Sequence, residues 1–332
     1  MDSTLNLLRG LLLATGAVTI VSCSGFTPSG ESIEQSEPRV SIDSDSGQQR
    51  DPGRASTGTE NWQHTIEELR PLHRELPTPV AGDWLSSHDE PGQTFAEYVQ
   101  TEQSRGTRIG TTVRVVPLGD FSESEREIVR LTACYLELAL GHPVRLEPEI
   151  PLSVIPDEAT RQRDSRQILT KYVLHNVLEP RLTDDDAAMI ALTAADLWPG
   201  GDWNFVFGQA SSRDRVGVWS IHRFGNPNSS ADSFRQVLTR ALKVATHETG
   251  HMFGLKHCVA FECGMCGSNH LAETDRHPLY FCPECHAKIC WATSADPLER
   301  FEKLAEFCEQ NGLTEEARYF ETARSQLAVS AF

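Results

Sequence analysis

The stretch HETGHMFGLKHC, residues 247 to 258, carries three histidines, a glutamate and a glycine at fixed spacing and ends in a cysteine. On a helix, His247 and His251 lie on one face with Cβ atoms about 5–6 Å apart, close enough for one metal ion to bridge them. Glu248 is displaced by about 100° from His247, so it reaches metal-bound water without being a ligand itself. Gly254 has no Cβ and takes positive φ readily, which lets the chain turn out of the helix and swing His257 back as a third ligand. Three neutral imidazoles leave the fourth position of tetrahedral zinc for water, whose pKa falls to about 7. Glu248 is then placed as the general base, taking a proton as hydroxide attacks a carbonyl and passing it to the leaving amine.

Of the nine cysteines in the chain, six fall between Cys258 and Cys290. Such clustering in a chain long enough for a substantial core points to metal ligation rather than a disulfide framework. Cys258 and Cys263 are separated by four residues, Cys282 and Cys285 form a C-x-x-C, and an 18-residue spacer joins the pairs. Two close pairs are what a tetrahedral structural zinc requires. Cys266 competes with Cys263 for its place. A C-x-x-C also serves thioredoxin-like oxidoreductases, but no helix within a βαβ pattern follows this one. Because Cys258 follows His257 directly, a metal at the cysteines would pin the third histidine. The expectation is two Zn2+ ions, one catalytic and one structural, the second bracing the first. Cys134 and Cys308 read as small buried hydrophobes and Cys290 is ambiguous; His222, His270, His277 and His286 are assigned surface or supporting roles.

The positioning elements follow from patterning. Residues 112–116 read as a strand, and residues 122–140 as a helix with a capping box from Ser122 to Glu125 and Gly141 past its end. Residues 144–155 read as extended and 162–178 as helical, followed by strands at 189–193, 204–209 and 216–221. Ser233 and Gln236 form a second capping box, which starts a long helix at about Phe234 that runs to Phe253. Asp296-Pro297 opens a final helix to about Gln310. The sum is an α+β domain with a mixed twisted sheet and a small C-terminal subdomain.

The pattern HExxHxxGxxH resembles the metzincin signature. The string HETGHMFGLKHC-VAFE-C-GM, followed by CPEC, resembles the archaemetzincins in particular, as do residues 268–289 and 196–224. This resemblance implies a metzincin-like zincin fold with a long active-site helix and a zinc-braced C-terminal subdomain. It implies a zinc metallopeptidase acting on peptides or proteins, partly of aminopeptidase type. It assigns the catalytic zinc to His247, His251 and His257, and the structural zinc to Cys258, Cys263, Cys282 and Cys285. It also makes Met265 the apolar floor of a Met-turn and Arg215–Ser220 the edge strand lining the cleft. A non-catalytic, zinc-stabilised surface binding module is the alternative, against which the presence of Glu248 argues.

Composition bounds the rest. The net charge is −17 and no long basic run occurs, which argues against nucleic acid as a partner. Residues 1–23 combine Arg9, an apolar stretch from Leu11 to Val21 and small residues around Cys23, the pattern of a secretory signal with a lipobox. Lipidated Cys23 would tether an exported bacterial lipoprotein to a membrane; the alternative is a cytoplasmic protein, which suits reduced thiols. Residues 24–60, rich in Ser, Asp, Glu, Gln, Gly and Pro, read as a disordered acidic linker, leaving 61–332 as the metallopeptidase domain.

Overall fold

The computed structural model describes residues 62–105 and 110–330; Cys23, the lipobox and the linker 24–60 lie outside the described residues. In chain order the elements are α1 (residues 62–69), α2 (Phe95–Arg105), β1 (Thr112–Leu118), α3 (Glu123–Leu140) and β2 (Val144–Leu146). Then come β3 (Thr160–Gln162), β4 (Arg166–Leu169), α4 (Thr170–Tyr172, continued as a π-helix over Val173–Leu178), β5 (Asp186–Thr193) and β6 (Asp196–Trp198). The remainder is β7 (Gly208–Ser211), β8 (Val216–Ser220), α5 (Ala231–Met252), α6 (Leu271–Arg276), α7 (Pro283–Thr293), α8 (Pro297–Gln310) and α9 (Thr314–Ser330).

The main sheet has the order β2-β1-β5-β8-β7, parallel except for β7, which runs antiparallel to β8 at one edge. Every residue of β5 is buried, as a central strand covered on both faces requires. Met189 and Ala191 of β5 join Val116, Leu118, Val216 and Val218 in one core with Val173, Leu174, Val177 and Leu178. The alternate residues Ala188, Ile190 and Leu192 are buried on the opposite face. Helices α3 and α5 pack on each other, and α5 also packs on β7 and β8. The long helix therefore rests on a sheet already fixed by its own core.

Several expected elements stand where the patterning puts them. Helix α3 has its Ser122–Glu125 capping box and ends at Gly141 with φ 58°. Asp296 caps α8 by accepting from Glu299 N, but α8 is not the final helix, since α9 follows it. Others differ. The helix expected over 162–178 is confined to Thr170–Leu178, because Arg166–Leu169 pairs with β3 and β6 in a separate three-stranded sheet. The strand expected from Asn204 begins only at Gly208, since the carbonyls of Trp203 and Asn204 accept from the Arg161 guanidinium at 2.8 and 2.7 Å instead of joining a ladder. The segment RVGVWS is interior, flanked by β5 and β7, so β7 and not this strand forms the edge. Helix α5 starts three residues earlier than expected, with Ser230 rather than Ser233 as its cap.

Asp196, with a side chain 1% exposed, ties the small sheet to the chain that precedes α5. Burial opposes its charge, but hydrogen bonds from Arg223, Gln167 and Ser165 overcome that and bring its pKa down to about 2. A depressed carboxylate contributes stability above its unfolded pKa and loses it as pH falls through the folded value. Asp196→Asn should therefore cost about 2 kcal/mol at pH 7, with the gap to the parent closing as pH falls from about 4 to about 2. Urea unfolding across that range measures it; a gap independent of pH would contradict this ionic account.

Candidate active site

Helix α5 presents His247, Glu248 and His251 in its last turns and ends at Met252. Gly254 then adopts φ +84°, and the chain turns back toward the helix. His247, His251 and His257 offer ring nitrogens that all lie within 4.8 Å of one another. The rings meet at centroid separations of 4.7, 5.2 and 4.8 Å.

Hydrogen bonding fixes which nitrogen faces the centre. Nδ1 of His247 lies 3.0 Å from Gly264 O, and Nδ1 of His251 lies 2.7 Å from Leu255 O. A carbonyl can only accept, so both Nδ1 atoms carry the proton and both Nε2 atoms present a lone pair. Those two Nε2 atoms stand 3.1 Å apart. Two lone pairs at that distance repel unless a cation lies between them, and ligands of one tetrahedral zinc at the usual Zn–N length would be about 3.3 Å apart. Burial brings the pKa of His247 and of His251 down to about 4, so both are in the neutral, ligating form at neutral pH. Nδ1 of His257 is held by Glu90, at 2.9 Å from each carboxylate oxygen.

Glu248 is partly buried on the same helix. Burial pushes its carboxyl above the usual carboxylate range, opposed by the charges that His251 and His257 would carry. A carboxylate with raised proton affinity is suited to taking a proton near neutral pH.

The second cluster comprises Cys258, Cys263, Cys282 and Cys285, all buried, with their sulfurs within 4.8 Å of one another. Cys258 Sγ and Cys282 Sγ are 3.7 Å apart, against about 3.8 Å for two thiolates on one tetrahedral zinc at the usual Zn–S length. Cys263 Sγ accepts from the backbone N–H of Cys282 at 3.1 Å and of Met265 at 3.4 Å, which suits a thiolate. Cys266 is outside this group, its thiol donating to Phe261 O at 3.2 Å. A helix does follow the C-x-x-C, for α7 begins at Pro283 with Cys282 as its N-cap, but no strand leads into it. Its N-terminal turn favours negative charge on Cys282 and Cys285.

The two clusters share one loop. His257 and Cys258 are adjacent, Cys258 N donates to Met265 O at 2.8 Å, and Gly264, which holds His247, follows Cys263. Met265 is fully buried and lies under α5 at Gly250, where an added Cβ would come within 2.6 Å of the Met265 sulfur. Cys134, Cys290 and Cys308 are buried in α3, α7 and α8, apart from both clusters. His286 is not at the surface: it is buried, stacks on Phe301 and accepts from Arg300 at 2.9 Å through Nδ1. His270 caps α6 by accepting from Glu273 N.

The backbone carbonyls of Leu255 and Gly264, and the carboxylate of Glu90, are absent from the sequence reading. Carbonyl roles leave no trace in residue type, and Glu90 stands 167 residues before the histidine it supports. Gly254 was legible, and its geometry is demanding: an L side chain there faces both the positive φ and Tyr98, 3.3 Å from an added Cβ. Gly254→Ala should lower stability by about 1–2 kcal/mol, read as a drop in the urea midpoint; an unchanged midpoint would mean the turn is not strained as described.

Residues 137–290 match the model of Peptidase family M54, a stretch containing both clusters. Archaemetzincin-2 of Homo sapiens is 30% identical over 288 residues, covering 75% of this chain and 80% of that protein. Archaemetzincin of Pyrococcus abyssi is 31% identical over 181 residues, covering 53% of this chain and 92% of that protein. Among solved structures, archaemetzincin from Methanopyrus kandleri aligns with a TM-score of 0.46 and 28% identity over 56% of this chain and 96% of its own. The chain belongs to peptidase family M54, the archaemetzincins, and is a zinc metallopeptidase.

Proposed function

We propose that the chain hydrolyses peptide bonds at a catalytic zinc held by His247, His251 and His257, with Glu248 as general base, and carries a second, structural zinc on Cys258, Cys263, Cys282 and Cys285. The observation that carries this reading is the 3.1 Å approach of two Nε2 atoms whose Nδ1 atoms are each held by a backbone carbonyl, with a glutamate next to one of these histidines in sequence. When bound, zinc supplies polarisation of the scissile carbonyl and a lowered pKa for water. Glu248 takes a proton from the attacking water and gives it to the leaving amine as the C–N bond breaks and the C–O bond forms. The carbonyls of Gly264 and Leu255 hold their histidines in one tautomer, so the ligand set is ready without rearrangement.

The substrate is a peptide or protein. Strand β7 has a free edge among the described residues and packs against α5, the helix that carries His247, Glu248 and His251, and in this reading an extended peptide pairs with that edge. Aminopeptidase action is one form of this chemistry, and peptides with free and with blocked amino termini separate it from internal cleavage. Residues 1–60 add, in this reading, a lipid anchor on Cys23 and an acidic leash that hold the domain at a membrane surface.

Glu248→Gln is expected to lower kcat by about 10²–10⁴-fold on a peptide library while the zinc content stays at that of the parent. Zinc retained with activity intact would remove Glu248 from the mechanism, and zinc lost would make it a ligand.

A further inference from the structure

We propose that Glu90 is a positioning residue for His257, and that the segment from Arg74 to Phe95 is therefore a working part of the metal site. The inference rests on the reading of His247, His251 and His257 as zinc ligands. Each of those histidines needs an acceptor on Nδ1 to direct its Nε2 inward. His247 and His251 find theirs in backbone carbonyls of the loops that immediately adjoin α5 and the cysteines. His257 has a carboxylate instead, with both Glu90 oxygens 2.9 Å from Nδ1. This is the one charged acceptor of the three. It comes from outside residues 137–290, the part of the chain that the family model matches.

Glu90 is itself held. Trp84 Nε1 donates to Glu90 Oε1 at 3.1 Å, and the Trp84 ring meets His257 edge-on at 5.2 Å. Trp84 is fixed in turn by its backbone N–H, which donates to Glu273 Oε1 at 2.9 Å, and by stacking on His88 at 3.8 Å. An added Cβ on Gly267 would come within 2.4 Å of the Trp84 ring, so the close approach depends on glycine there. The segment is strapped to both clusters. Leu76 N donates to Ala260 O and Glu262 N to Arg74 O, each at 3.0 Å, on the loop between Cys258 and Cys263. Lys256 N donates to Gln93 Oε1 at 3.2 Å beside His257, and Phe95 N donates to Glu284 Oε2 at 2.6 Å within the C-x-x-C. Glu90 thus sits on a backbone clamped on either side of the residue it orients. A carboxylate bonded to Nδ1 raises the basicity of Nε2 as well as fixing the ring, and loss of such a partner typically weakens metal binding by about 10–100-fold.

The test measures zinc affinity of the full chain by chelator competition for the parent, Glu90→Gln and Glu90→Ala, with His247→Ala identifying which zinc belongs to the histidines. Glu90→Ala should loosen the histidine zinc by about 10–100-fold and leave the cysteine zinc unchanged. Glu90→Gln, whose amide oxygen still accepts from Nδ1 but carries no charge, should fall between the two. At saturating zinc, KM for a peptide substrate should stay at the parental value. Unchanged affinity in both variants would overturn the proposal while leaving the three-histidine reading intact. Equal loss at both zinc sites would also overturn it, since Glu90 would then be supporting the fold alone. If His247→Ala removes no zinc from the parent, the three-histidine reading fails and takes this proposal with it.

Discussion

The hydrogen bond from His247 Nδ1 to Gly264 O, at 3.0 Å, is the contact on which the arrangement turns. Gly264 lies between Cys263 and Met265, so the loop that closes the cysteine cluster also sets the tautomer and rotation of a histidine on the long helix. The same loop begins at Cys258, next to His257, and is closed on itself by Cys258 N donating to Met265 O. Two of the three histidines are thus held by a few residues that have no regular secondary structure of their own. A loop of that kind has little intrinsic stability, and its ordering must come from what it binds or packs on. Here it packs on α5 through Met265 and brings Cys258 and Cys263 to Cys282 and Cys285 at the start of α7.

The rest of the fold supplies a rigid base for that contact. The parallel sheet and its two-sided core fix α5 from beneath, and the capped α3 packs along it. The chain after α5 is then free to be irregular. It leaves the helix at Gly254, with φ +84°, and returns His257 within three residues. Burial of His247 and His251 disfavours their protonated forms, so the fold favours the neutral imidazoles that a metal site requires.

Much of the site was legible because its demands fall on residue types at short range. Four-residue spacing of His247 and His251, glycine at 254 and the close cysteine pairs are constraints within one helix, one turn and one loop. Capping residues at Ser122 and Asp296 were legible for the same reason, since a cap is read within four residues. What the sequence did not disclose depends on contacts from far along the chain. Glu90 is an ordinary glutamate in a Pro- and Gly-bearing stretch until the fold brings it to His257. Residues 162–169 pattern as a helix, but Gln167 and Ser165 are drawn to Asp196, and strand pairing prevails over local preference. RVGVWS lies one strand in from the edge of the sheet, and its alternation is that of an edge or an interior strand alike; only the pairing of β7 decides it.

The central claim is that the cysteine loop holds the histidine site together, and zinc stoichiometry by mass spectrometry on the parent chain, His247→Ala and Cys282→Ala tests it most directly. The account predicts two zinc ions in the parent, one in His247→Ala, and loss of both in Cys282→Ala, because breaking the cysteine cluster frees Gly264 and His257 together. A Cys282→Ala protein that keeps one zinc bound to its histidines at parental affinity would contradict it.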